Sequence, residues 1–223
     1  MMQMQKRISI LISSDNLGAR LPLLLQSIAD QTNHDWQVIV VDNSGERSTV
    51  LQPPVYVLRN PRPQTLARSM TQALELVHGS EFVMCCRDDL VLAPNALEAC
   101  LEAFEQDQEL GFVWPSFARA RYNTESTEQE LIYDTERVLP RYPDDEQTSC
   151  VCIRMHDLGL LRPSLKQADD LVMRDVLWRL TQLGSKGRQA DKAVAWLQPG
   201  AALVSPGIFR YWTWVWTRRM PRS

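Results

Sequence analysis

Trp36-Gln37-Val38-Ile39-Val40-Val41-Asp42-Asn43-Ser44-Gly45 is the stretch that decides the fold. Val38 to Val41 is an unbroken apolar, β-branched run, which marks a strand buried on both faces, as in a parallel sheet. The four residues after it, Asp-Asn-Ser-Gly, are turn chemistry. Working outward, Arg7 to Ser13 is a second run of the same kind, and Leu21 to Ile28 follows it with apolar residues at helical spacing. Val55 to Leu58 reads as a third strand. Thr65 to Val77 reads as a helix with Leu66, Met70, Ala73, Leu74 and Val77 on one face and Gly79 just past its end. Glu81 to Cys86 is a fourth strand, Asn95 to Phe104 a helix entered through Pro94, and Phe112 to Trp114 a further strand. Repeated strand-helix-strand units predict an α/β protein, with a mostly parallel central sheet flanked by helices on both faces. Ligands in such sheets lie beyond the carboxyl ends of the strands. Two of these strands end in acids, at Asp42 and at Asp88-Asp89.

The pattern breaks between Arg121 and Glu146. Eight acids there face three arginines, Arg121, Arg137 and Arg141. So polar a stretch reads as a loosely packed excursion, either a lid or a solvated surface loop. Order returns at Ser149 to Arg154, and a helix runs from about Asp170 to Leu183 before stopping at Gly184.

Composition narrows the function classes. The chain has 223 residues and a formal net charge of −3, which disfavours nucleic acid as the main partner. No apolar run approaches the roughly 20 residues that span a bilayer. The first residues show neither the apolar stretch nor the small-residue site of a signal peptide, so the expectation is a cytoplasmic protein. Five cysteines, an odd number, point to reduced thiols. Cys150 and Cys152 have no second pair at a zinc-finger spacing and read as buried strand residues.

Three acidic positions carry candidate chemistry. Adjacent carboxylates at a buried strand end, Asp88 and Asp89, are costly unless a cation or solvent stabilises them. A divalent metal bridging a diphosphate would do so; the alternative is an acidic pair starting the helix after Pro94. Asp42 suits a ribose or base contact at a strand tip, or a simple turn. Asp169 and Asp170 suit a helix cap, a general base, or one of each.

Together and in this order, these pieces resemble the family 2 glycosyltransferases. The stretches are Ile10 to Asn16, Leu25 to Thr32 with Val38 to Ser44, Ala67-Arg68-Ser69, Phe82 to Asp89, Cys152-Ile153-Arg154 with Gly159, and Ala168 to Leu171 with Arg174, Leu180 and Gly184. The resemblance spans roughly residues 7 to 190. It implies the GT-A fold, Rossmann-like, over 1–207, with a donor half of about 1–117, an acceptor half of about 148–207 and a tail at 208–223. It implies an inverting hexosyl- or deoxyhexosyltransferase that moves sugar from a nucleotide-diphosphate donor to a glycan or lipid-linked acceptor, as in polysaccharide synthesis. By the resemblance, Ser14 and Asp42 hold the nucleoside, and Arg68 lies on the donor side toward the phosphates. Asp89 ligates Mg²⁺ or Mn²⁺, with Asp88 beside it on ribose or metal, and Asp170 is the catalytic base. Three departures stand out. Arg87 replaces the first acid of the family's Asp-x-Asp motif, no histidine follows Asp170, and Ser69 stands where Asn is common. Arg87 would either repel a metal or contact the diphosphate directly.

The tail from Phe209 to Arg219 sets Trp212, Trp214 and Trp216 among arginines. It suits either a lipid headgroup interface on the inner face of a membrane or a strand packed on the domain or on a second copy in a homodimer. Two other functions stay in view. One is a catalytically weak relative that only binds the donor, motivated by Arg87. The other is a nucleotidyltransferase, disfavoured by the single glycine in Asp15 to Arg20.

Overall fold

The structure, a computed structural model, describes residues 6–15, 20–45, 54–122, 131–138, 150–159 and 171–199. Its elements are β1 (Ile8–Ser14), α1 (Leu21–Ala29), β2 (Trp36–Asp42), β3 (Val55–Arg59), α2 (Leu66–Glu75), β4 (Phe82–Arg87) and β5 (Leu90–Leu92). There follow α3 (Ala96–Gln106), β6 (Leu110–Tyr122), β7 (Leu131–Val138), β8 (Cys150–Arg154), α4 (Met155–Gly159), α5 (Val172–Gln182) and β9 (Lys186–Leu197). The strands form one sheet in the order β3-β2-β1-β4-β8-β6-β9-β5, with β7 beside β6.

The parallel character read from the sequence is concentrated in the first half, where β1 lies between β2 and β4 and β2 pairs with β3, all parallel. β8 then runs antiparallel to both β4 and β6, while β6 and β9 are parallel. Apolar periodicity reports that a strand is buried; its direction is set by the connections, which periodicity does not carry.

Side chains alternate across the sheet with the period of two that strands impose. Ile8, Ile10, Ile12, Val38, Val40, Phe82 and Met84 pack on one face with Leu21, Leu24 and Ile28 of α1 and with α3. Leu11, Ile39, Val41, Val83, Val151 and Ile153 pack on the other with α2, α4 and α5. Helices therefore cover both faces, as expected. The helix ends follow their local chemistry. Thr65 caps α2 by accepting from the Arg68 N–H, and Gly184, at φ +91°, ends α5 in the left-handed region that glycine tolerates. Gly187 in β9 lies against the Phe112 ring, where an added Cβ would meet a ring carbon at 2.1 Å.

Three segments differ from expectation. β7 lies inside the acidic excursion and pairs antiparallel with β6, Tyr122 opposite Leu131 and Ala120 opposite Tyr133. The β-prone triplet Leu131-Ile132-Tyr133 outweighs its polar surroundings, and the Tyr133 ring lies 5.1 Å from that of Trp196. β5 and β9, too short or too polar for a clear period, were not read from sequence at all. No helix among the described residues is long and apolar enough to cross a membrane.

Candidate donor site

The parallel register brings the candidate residues together. Ser14 is paired with Asp42 across β1 and β2, Asp42 with Arg59 across β2 and β3, and Ser13 with Arg87 across β1 and β4. Arg59, Asp42, Ser14 and the Arg87-Asp88-Asp89 corner thus form a row along the carboxyl ends of four adjacent strands. That is where an open α/β sheet binds its ligands.

At one end of the row, Asp42 is buried and its Oδ1 accepts from the Ser44 N–H at 2.9 Å and the Ser44 hydroxyl at 2.7 Å. Arg59 Nε stands 3.9 Å from Oδ2. The turn is anchored by buried amides. Asn43 donates to the hydroxyls of Ser13 at 3.1 Å and Ser69 at 2.9 Å. The Asn60 side-chain amide donates to Asn43 Oδ1 at 2.9 Å and exchanges bonds with Gln72. The Asn60 N–H also donates to the Asp42 carbonyl at 2.9 Å. The serine that departs from the family's usual Asn thus accepts from Asn43.

At the other end, Asp88 and Asp89 sit in the turn between β4 and β5. They do not start a helix, since α3 begins at Ala96. The Ser14 hydroxyl donates to Asp88 Oδ2 at 2.6 Å. Burial pushes the Asp88 carboxyl above its ordinary value, the Ser14 bond opposes that shift, and the charge of Asp89 adds to it. Asp89 is 2% exposed; its Oδ2 accepts from Arg87 and lies 3.7 Å from Arg20 Nη1, while its buried Oδ1 has no hydrogen-bond partner among the described residues. Beneath the row, Ser13, Ser69, Cys86, Arg87 and Met173 help line a narrow, mostly apolar cavity of about 40 Å³. It has room for a water or two and none for a nucleotide, which would have to lie above the strand ends.

Of the other predicted residues, Arg68 is exposed on α2, and its N–H bonds to the Thr65 cap. Asp170, its neighbour Asp169 and the tail at 208–223 lie outside the described residues. Cys150 and Cys152 are buried in β8 among apolar neighbours. Sequence reasoning missed Arg20, Arg59, Asn60 and Gln198. All four reach the row through pairings distant in the chain, and no local pattern signals them.

Residues 9–162, more than half of the chain, match the family model described as glycosyl transferase family 2. The chain belongs to that family. It is 30% identical over 142 residues to an uncharacterized glycosyltransferase of Haemophilus influenzae, covering 59% of this chain and 48% of that protein. It is 29% identical over 132 residues to an uncharacterized protein of Mycobacterium tuberculosis, covering 56% of this chain and 40% of that one. This glycosyltransferase chain thus spans about half or less of the length of the curated relatives it matches.

Solved structures give the same fold, GT-A. GalNAc-T7 with UDP, GalNAc and Mn²⁺ superposes at a TM-score of 0.61 and 13% identity, covering 88% of this chain and 44% of that one. A Pyrobaculum calidifontis mannosyltransferase in complex with GDP-Man and Mn²⁺ superposes at 0.61 and 15% identity, covering 92% of this chain and 59% of that one.

Proposed function

We propose that this chain moves a sugar from a nucleoside-diphosphate donor to a hydroxyl of a glycan or lipid-linked acceptor, with inversion at the anomeric carbon. The observation that carries this is the row from Asp42 through Ser14 to Asp88 and Asp89 at the carboxyl ends of adjacent strands. Asp42 receives the base and ribose, held by Ser44 and the Asn43–Asn60 amides. Asp88 and Ser14 face the ribose. Arg87 and Asp89 face the diphosphate.

Among the described residues no three His, Cys, Asp or Glu side chains group to hold a metal by themselves. Asp89 does offer one buried carboxylate oxygen, Oδ1, without a hydrogen-bond partner among the described residues. One protein oxygen completed by phosphate oxygens and water is an ordinary arrangement for Mg²⁺ or Mn²⁺. The residues fit a metal that arrives with the donor. When bound, it would neutralise the departing diphosphate.

Asp170, one residue before Leu171 at the head of α5, is proposed as the base that takes the acceptor's hydroxyl proton. A single displacement then inverts the anomeric carbon, because the acceptor oxygen enters opposite the leaving nucleotide. Asp170→Asn should leave donor binding unchanged and lower transfer by about 100-fold or more. Undiminished transfer would remove Asp170 from the mechanism. The hydrogen bond from Arg87 to Asp89 favours a second reading, a catalytically weak relative that binds donor without efficient transfer. Normal binding with transfer no faster than donor hydrolysis would select it.

The aromatic and basic stretch 209–219 is proposed to dock on an anionic membrane surface from the cytoplasmic side. Co-sedimentation with anionic liposomes should be lost on truncation near Pro206; equal pelleting of both forms contradicts it.

A further inference from the structure

Asp89 is approached by two guanidinium groups from different elements. Arg87 donates to Oδ2 from the end of β4, and Arg20 Nη1 lies 3.7 Å from the same oxygen, on the residue that precedes α1. Gln198, just past the end of β9 and 3% exposed, brings Arg20 there. Its side-chain amide donates to the carbonyl oxygens of Arg20 at 3.0 Å and Leu90 at 3.1 Å, and its backbone N–H donates to that of Asp89 at 3.0 Å. A buried amide costs stability unless its donors are used, and here both side-chain N–H groups end on main-chain oxygens. Gln198 thereby fixes the main chain of Arg20 against the turn that carries Asp89.

Two guanidinium charges stand at one oxygen of a carboxylate that carries a single charge, while the neighbouring Asp88 is turned to Ser14. The Arg20 side chain stays 43% exposed, and its guanidinium makes no other hydrogen bond or ion pair among the described residues. Its remaining donors are therefore open to an anion at the diphosphate end of the row, and guanidinium groups match phosphate oxygens in geometry as well as charge. We propose that Arg20 is a second guanidinium contact for the donor's diphosphate, beside Arg87, and that Gln198 is the positioning residue that sets it there. This rests on the row being a nucleotide-donor site.

The test is calorimetry on the full chain with UDP, GDP, CDP and dTDP, the matching nucleosides and inorganic pyrophosphate. Arg20→Gln should weaken the preferred nucleoside diphosphate and pyrophosphate about tenfold, leaving the nucleoside within about twofold. Gln198→Met, of similar volume without the donors, should give the same phosphate-selective loss. Combined with Arg20→Gln it should add little, because both act through one contact. If Gln198→Met does not fold, the exposed Arg20 variant decides alone. Diphosphate binding unchanged in Arg20→Gln, or nucleoside binding weakened equally, overturns the proposal. A surface ion pair of no consequence would give the first of those results. An unaltered chain that binds no nucleotide overturns the donor-site reading and this proposal with it.

Discussion

Asp89 carries the densest chemistry for one residue in this chain. One oxygen is shared between two arginines, and the other is buried without a hydrogen-bond partner among the described residues. Asp89→Asn should abolish any strengthening of donor binding by Mn²⁺ and lower transfer on the order of 100-fold. Titrating the donor with and without Mn²⁺ checks this, and an intact metal effect would place the ion elsewhere. The cysteines are opposite in character. All five are buried. Burial pushes the Cys85 thiol up to about 12 and raises Cys100 and Cys152 as well; Cys150 is raised first by its contact with Cys86 and then by burial. A thiol reagent at pH 8 should therefore label none of the five within minutes in the folded chain and all of them in denaturant. Fast labelling of native protein would contradict the burial. These residues differ in how visible they were beforehand. Acids after apolar runs announce a site because burial makes an unpartnered charge costly. Arg20 and Gln198 announce nothing, because their roles depend on partners 69 to 178 positions away in the chain.

At the scale of elements, the two ends of the parallel strands do different work. At the carboxyl end, Asn43, Asn60, Gln72 and Ser69 tie β2 and β3 to α2. Asn60→Leu strands the buried amide of Asn43 and the half-buried amide of Gln72 and should cost about 1–3 kcal/mol in denaturant titration. The same change should loosen the turn at Asp42 and weaken nucleotide binding. At the amino end, Phe82 and Phe104 stack at 4.6 Å between centroids, and the Arg154 guanidinium lies 5.0 Å from the Phe104 ring centre. Arg154 also donates to the Leu110 carbonyl at 2.9 Å. Arg154→Met should cost about 1–3 kcal/mol, with nucleotide affinity unchanged. Loss of affinity there would mean that the two ends are coupled. The family-specific stretch from Leu25 to Thr32 also gains a physical account. The Ser27 hydroxyl accepts from the Leu92 N–H at 3.0 Å, and Gln31 joins the Ala93 carbonyl at 2.7 Å to the Leu97 N–H at 3.0 Å. These residues fasten α1 to the chain just after Asp88-Asp89, so their identities serve the site from below. Their spacing was legible as family resemblance; their bonds were not, because they join separate elements.

For the whole molecule, the layered α/β architecture followed from alternation between β-branched runs and helical periods, and the GT-A likeness bears it out. The antiparallel second half was less legible. β7 hides in an acid-rich stretch, and β9 carries Lys186, Arg188 and Lys192 on a strand whose pairing with β6 and β5 decides its place. The chain spans about half or less of its curated relatives, and a solved enzyme's substrates are its own. Everything proposed for this chain depends on the strand-end row receiving a nucleoside diphosphate. The decisive measurement is calorimetric titration of the unaltered chain and of Asp42→Ala with UDP, GDP, CDP, dTDP and inorganic pyrophosphate, in Mn²⁺ and in EDTA. One nucleotide should bind, more tightly with Mn²⁺, and Asp42→Ala should lose the preference for that base while pyrophosphate still binds. No binding of any nucleotide in either condition would contradict the account and leave only the fold.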